Sequence, residues 1–173
     1  GEPAWCYYNN DPAYGAKFGK LYNVFAVYDP RGLAPEGYHI PSRKDWNQLI
    51  EFIILSERNL DRRAQRQWRG EIGNVTDLND RLTKKLRSIT GWDDDNEIGT
   101  NESGFNALPS GYRRRRGYFD LVETRCYFWS IIEPNASYGY GVAIGDFGLE
   151  WLDYKHSDFK GRDLGMSVRC LRD

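Results

Sequence analysis

The sequence predicts an α+β fold in a single domain spanning residues 1–173. Three observations carry this. An amphipathic helix follows Pro41, a second helical pattern runs from Leu78 to Ile89, and beyond Gly91 helix periodicity gives way to short aromatic and β-branched runs. A chain of 173 residues fits one domain and is long enough to bury a proper core.

The chain opens with a short β segment. Ser42 is then a good helix N-cap, with Pro41 before it and Asp45 where the acid of a capping box stands. Trp46, Leu49, Ile50, Ile53 and Ile54 follow at the i, i+3, i+4, i+7, i+8 spacing of one buried stripe. In the second helix Leu78, Leu82, Leu86 and Ile89 share a face, Lys84 and Lys85 favour the C-terminal half, and Gly91 ends it. Arg58 to Asp77, rich in arginine, reads as a helix extension or a surface insertion. The second half is long, strand-and-loop in character. Its strands are expected at Tyr118–Val122, Tyr127–Ile132, Tyr138–Ile144, Leu149–Tyr154 and Met166–Leu171.

Composition excludes several classes. Lysine and arginine total 24 against 25 aspartate and glutamate, so the chain is not a globally basic nucleic-acid binder. Aromatic residues make up 15 %, too many for a disordered chain. Apolar runs such as Phe52 to Leu55 fall far short of the roughly 18 residues a membrane-spanning helix needs. No G-x-S-x-G, H-E-x-x-H or C-x-x-C pattern occurs. Gly15 to Lys20 imitates a phosphate loop, but has three residues between its glycines and Leu21 where the magnesium-binding hydroxyl belongs. With only His39 and His156, histidine-based metal or triad chemistry lacks parts, and His39 reads as structural. No cofactor, metal or catalytic residue is expected.

Two charge clusters have bland readings. Asp93, Asp94, Asp95, Asn96 and Glu97 offer hard oxygen ligands without the spacing of an EF-hand, and read as a solvated turn. Arg113 to Arg116, between Gly111 and Gly117, reads as a hairpin tip.

The suggestive region lies between Tyr118 and Asp163, where tyrosine and tryptophan alternate with acids. Such rings give large contact area at low entropy cost, and neighbouring carboxylates orient polar ligands. Tyr127, Tyr138, Tyr140, Trp151 and Tyr154 are the expected anchors; Asp120, Asp146, Asp153 and His156 are the expected polar orienters. Tyr118 belongs to the same surface, whereas Phe128 and Trp129 are expected in the core.

A resemblance covers nearly the whole chain. Its segments are Ala4-Trp-Cys-Tyr-Tyr-Asn-Asn-Asp11, Gly19-Lys-Leu-Tyr-Asn23, Ala34-Pro-Glu-Gly-Tyr-His-Ile-Pro-Ser42 with Asp45-Trp46, and Lys85-Leu-Arg-Ser88 with Gly91-Trp92. They continue through Thr100-Asn-Glu-Ser-Gly-Phe-Asn-Ala-Leu-Pro-Ser-Gly-Tyr-Arg113, Phe128-Trp-Ser130 with Glu133, and Gly165-Met-Ser-Val-Arg-Cys-Leu-Arg-Asp173. In these the chain resembles the Fibrobacter succinogenes major paralogous domain family.

The resemblance implies a C-type lectin-like fold, of the kind shared with formylglycine-generating enzymes. It further implies a secreted, surface-attached or phage-borne protein, anchored if at all through a segment outside this sequence. Similar domains serve as adhesins, phage receptor-binding tips and variable proteins of diversity-generating retroelements, in which a fixed scaffold carries a varied C-terminal half. Ile131 and Ile132, where the family usually has small polar residues, mark the expected varied surface. The implied function is therefore non-enzymatic binding of a protein or glycan ligand, with an assembly subunit or an enzyme as alternatives. Nucleic acid is not an expected partner. Formylglycine chemistry is not implied, because Cys126 and Cys170 are far apart in sequence; Cys6 and Cys170 are expected as neighbours and a disulfide. Glu133-Pro134-Asn135 has the letters of the calcium and mannose motif of animal lectins, without the downstream Trp-Asn-Asp.

Overall fold

The computed structural model describes residues 1–56, 76–93, 98–131, 140–145, 148–152 and 164–173; for 76–78 and 140 it describes the backbone alone. Its elements confirm an α+β protein. In chain order they are β1 (Trp5–Cys6), α1 (Pro12–Phe18), β2 (Leu21–Tyr22), α2 (Val24–Val27), β3 (Tyr38–His39), α3 (Arg43–Ser56) and α4 (Thr76–Leu86). Six strands follow: β4 (Ser110–Arg113), β5 (Phe119–Val122), β6 (Cys126–Ser130), β7 (Tyr140–Gly145), β8 (Gly148–Leu152) and β9 (Leu171–Arg172). A five-stranded sheet runs β5-β4-β6-β7-β8, while β1 pairs with β2 and β3 with β9.

α3 begins as its sequence dictates. The Ser42 hydroxyl and backbone N–H both donate to Asp45 Oδ2, at 2.6 and 2.8 Å, and the Asp45 N–H returns to Ser42 Oγ at 3.3 Å. Trp46, Ile50, Ile53 and Ile54 are buried along the expected stripe. α4 is shorter than expected. It stops at Leu86, because Arg87 leaves the helix to bridge Ala107 and the Ser88 N–H donates to the Ala107 carbonyl; Ile89 is exposed.

Two further helices escape periodicity, being seven and four residues long. Their caps make them. Asp11 accepts from the Ala13 N–H at 2.8 Å ahead of α1, and Asn23 from the Ala26 N–H at 2.9 Å ahead of α2. The supposed phosphate-loop imitation falls within α1 and its end.

β6 is the spine of the molecule. Every residue of Cys-Tyr-Phe-Trp-Ser is buried, because both faces of the strand are covered. Cys126 and Phe128 pack with Trp46, Ile50, Leu86 and Ile144 under α3 and α4. Tyr127 and Trp129 pack on the other side with Val24, Val27, Tyr112 and Met166. β6 runs parallel to β4 and antiparallel to β7. At the β4 crossover only glycine fits: Gly111 has φ +60°, and a Cβ there would lie 2.5 Å from the Asp120 carbonyl oxygen.

The strand expected at Met166–Leu171 is divided. Gly165, Met166 and Ser167 bridge singly to Arg113, Tyr22 and Phe128, and only Leu171–Arg172 pairs as a strand, with β3. Arg115–Gly117 forms the tight turn between β4 and β5, as the bracketing glycines suggest. Cys6, Cys126 and Cys170 are free thiols, so the expected Cys6–Cys170 bond is not formed; Cys6 is held in the β1–β2 ladder opposite Leu21. Among the described residues no helix is long and apolar enough to cross a membrane.

Candidate functional site

The register of β6, β7 and β8 brings three strand ends together. Ser130 pairs with Tyr140, and Gly141 pairs with Leu152, so residues 130–131, 140 and 152 share one end of the sheet. The N-terminus of α3 is fastened there. The Ile131 N–H donates to the Pro41 carbonyl at 2.9 Å, the Ser130 hydroxyl to the same oxygen at 3.0 Å, and Ile131 bridges Ser42.

Two side-chain groupings flank this end. Trp151, half-buried on β8, carries the Arg43 guanidinium 4.8 Å from its ring centre. That is cation–π range, and it fixes both the ring and the charge. On the other flank His39 stands between two carboxylates. Its Nδ1 lies 2.6 Å from Asp173 Oδ1, and its Nε2 3.6 Å from Asp45 Oδ2. The Asp173 hydrogen bond holds the imidazole above its ordinary pKa. Burial pushes the Asp45 carboxyl up, but the Ser42 hydrogen bonds and the His39 charge outweigh it and leave it below the usual carboxylate value.

The sequence-predicted residues are not brought into one patch. Tyr127 is a correction: only 2 % exposed, its ring packs tilted at 41° against Tyr112 with centres 4.5 Å apart, and burial pushes its hydroxyl up to about 12. It is a core residue because β6 is covered on both faces. Tyr118 is exposed and Asp120 is half-buried, but both lie at the β4–β5 hairpin, where Asp120 pairs with Arg114. The strand order sets β5 four places from β8, roughly 19 Å at 4.8 Å per strand. Tyr118 and Asp120 therefore cannot share a sugar-sized site with Trp151.

Ile131 and Trp151 do lie at the shared sheet end, as does the backbone of Tyr140. Ile132, Tyr138, Asp146, Asp153, Tyr154 and His156 lie outside the described residues, as do Asp94 to Glu97 and Glu133 to Asn135. Phe128 and Trp129 are buried as expected. Sequence reasoning missed Arg43, and it read Asp45 as a cap alone. No local signal announces either role, since both depend on β3, β9 and β8 meeting the start of α3. Among the described residues no group of three His, Cys, Asp or Glu side chains could hold a metal.

Comparison with known proteins adds the family. No curated protein and no solved structure matches the chain. The model of the Fibrobacter succinogenes major domain matches residues 1–172. The chain belongs to the Fibrobacter succinogenes major domain family.

Proposed function

We propose that this chain is a non-enzymatic binding module on a C-type lectin-like scaffold, of adhesin or receptor-binding type. It presents the 131–140 and 152–163 segments to a protein or glycan ligand. One observation supports this most: both segments begin or end where β6, β7 and β8 share a sheet end, beside Trp151 and Arg43. A spine strand buried on both faces is a rigid base for chain that tolerates change. Ile131, Ile132, Tyr138, Tyr140, Trp151, Asp153, Tyr154 and His156 are the proposed contacts. The hairpin residues Tyr118 and Asp120 fall outside this footprint, and Asp146 belongs to the β7–β8 connection rather than to either segment. A surface or phage-borne setting, and diversification of these segments, accord with this reading.

The test is a glycan and surface-protein binding array, run with calcium and with chelator, on the wild type and on Tyr154→Ala and Trp151→Leu. A hit that survives chelation and weakens at least about 30-fold in Tyr154→Ala, with Tm moving less than about 3 °C, is the expected result. A hit lost with chelator points instead to a calcium-bound ligand. Silence, with the chain self-associating over the same surface, makes it an assembly subunit.

A further inference from the structure

A second site lies away from that sheet end. A cleft of about 500 Å³ opens between the end of α1 with β2 and the 106–108 and 167–169 segments. Its walls include Tyr7, Phe18, Tyr22 and Phe128, and among the described residues its only charged lining groups are Lys20 and Arg169. This volume is typical of small-molecule sites, and the mixture of rings with a few polar groups is their usual chemistry.

The two cations are held by rings and a carbonyl, not by acids. Lys20 Nζ sits 3.8 Å from the centre of the Trp5 ring, which itself meets Tyr7 edge-on at 5.2 Å. The Arg169 guanidinium lies 5.0 Å from the Phe105 ring centre and donates to the Phe105 carbonyl oxygen. Among the described residues neither cation has a carboxylate within ion-pair distance. Rings and carbonyls fix a cation's position while leaving its formal charge uncompensated. The Asn106 side-chain amide, also in the lining, has no hydrogen-bond partner among the described residues.

Two positive charges among the lining residues, an amide able to donate and accept, and aromatic walls suit an anionic ligand with an apolar face. We infer that this cleft binds an acidic sugar, its carboxylate between Lys20 and Arg169 and its C–H face against Tyr7. The inference is independent of the sheet-end reading, since no described residue of that site lines the cleft.

The test is a calorimetric titration of the whole chain with glucuronate and N-acetylneuraminate, and with glucose and inorganic phosphate as controls. At least one acid should bind with a Kd of about 1 mM or tighter, at least about tenfold ahead of glucose, and weaken as salt is raised. Lys20→Gln should weaken it several-fold and Lys20→Arg should retain it, with Tm unchanged in both; Asn106→Gly, which keeps the left-handed φ of +56° accessible, should also weaken it several-fold. Arg169→Gln should do the same as Lys20→Gln, but Arg169 also braces Phe105, so the Lys20 variants are the deciding ones. Failure of both acids to bind overturns the inference. So does equal binding of glucose, indifference to Lys20→Gln, or phosphate binding as tightly as the acids, which would make this a bare anion site.

Discussion

Tyr127 and Tyr118 show what a single residue's surroundings decide. Both are tyrosines near the acids of the second half, and their sequence context suggests one role. The structure gives them opposite ones: Tyr127 is sealed against Tyr112 and Trp129, while Tyr118 is 69 % exposed at a hairpin. Tyr127→Ala should therefore cost about 3–5 kcal/mol, read as a shifted denaturant midpoint, whereas Tyr118→Ala should stay within about 0.5 kcal/mol. Near-equal losses would show that the core assignment of Tyr127 is mistaken. Gly111 makes the same point for backbone. Its left-handed φ and the approach of the Asp120 carbonyl forbid a side chain, so Gly111→Ala should cost at least about 1–2 kcal/mol by the same measurement. That glycine reads in the sequence only as one bracket of a loop.

Among elements, the start of α3 and its buried stripe were legible to the residue. Its cap, its acid and its stripe are all local, and local chemistry is what a sequence displays. α1, α2 and β9 were not, because elements of two to seven residues have no period to read. β3 and β9 matter nonetheless, since they bring His39 to Asp173 and to the Asp45 cap. This clasp predicts a pH dependence. His39 has a raised pKa when folded, so its contribution is whole below the ordinary value of 6.5 and is lost as pH rises through the folded value. Asp45 has a lowered one, so its contribution is whole above the ordinary 3.8 and is lost as pH falls through the folded value. The Tm difference between wild type and His39→Gln should be widest near pH 5 and shrink above neutrality. A difference that is flat from pH 5 to pH 8 would remove the clasp.

For the whole molecule, the division into an early helical part and a late strand part was visible in the sequence, and so were four of the five strands of the main sheet. Strand order was not. Nothing local states that β4 lies between β5 and β6, or that β5 and β8 are opposite edges. That order separates Tyr118 and Asp120 from Trp151 and splits the single surface the sequence suggested. It also gathers the ends of the two long segments. On the proposed function, binding belongs to those segments and stability to the scaffold beneath them. The most direct measurement replaces 132–139 and 153–163 with glycine–serine chain of equal length, then follows binding of an array-identified ligand alongside thermal melting. Affinity should fall at least about 100-fold, with Tm lowered by less than about 5 °C. Wild-type affinity in that variant would contradict the proposed function.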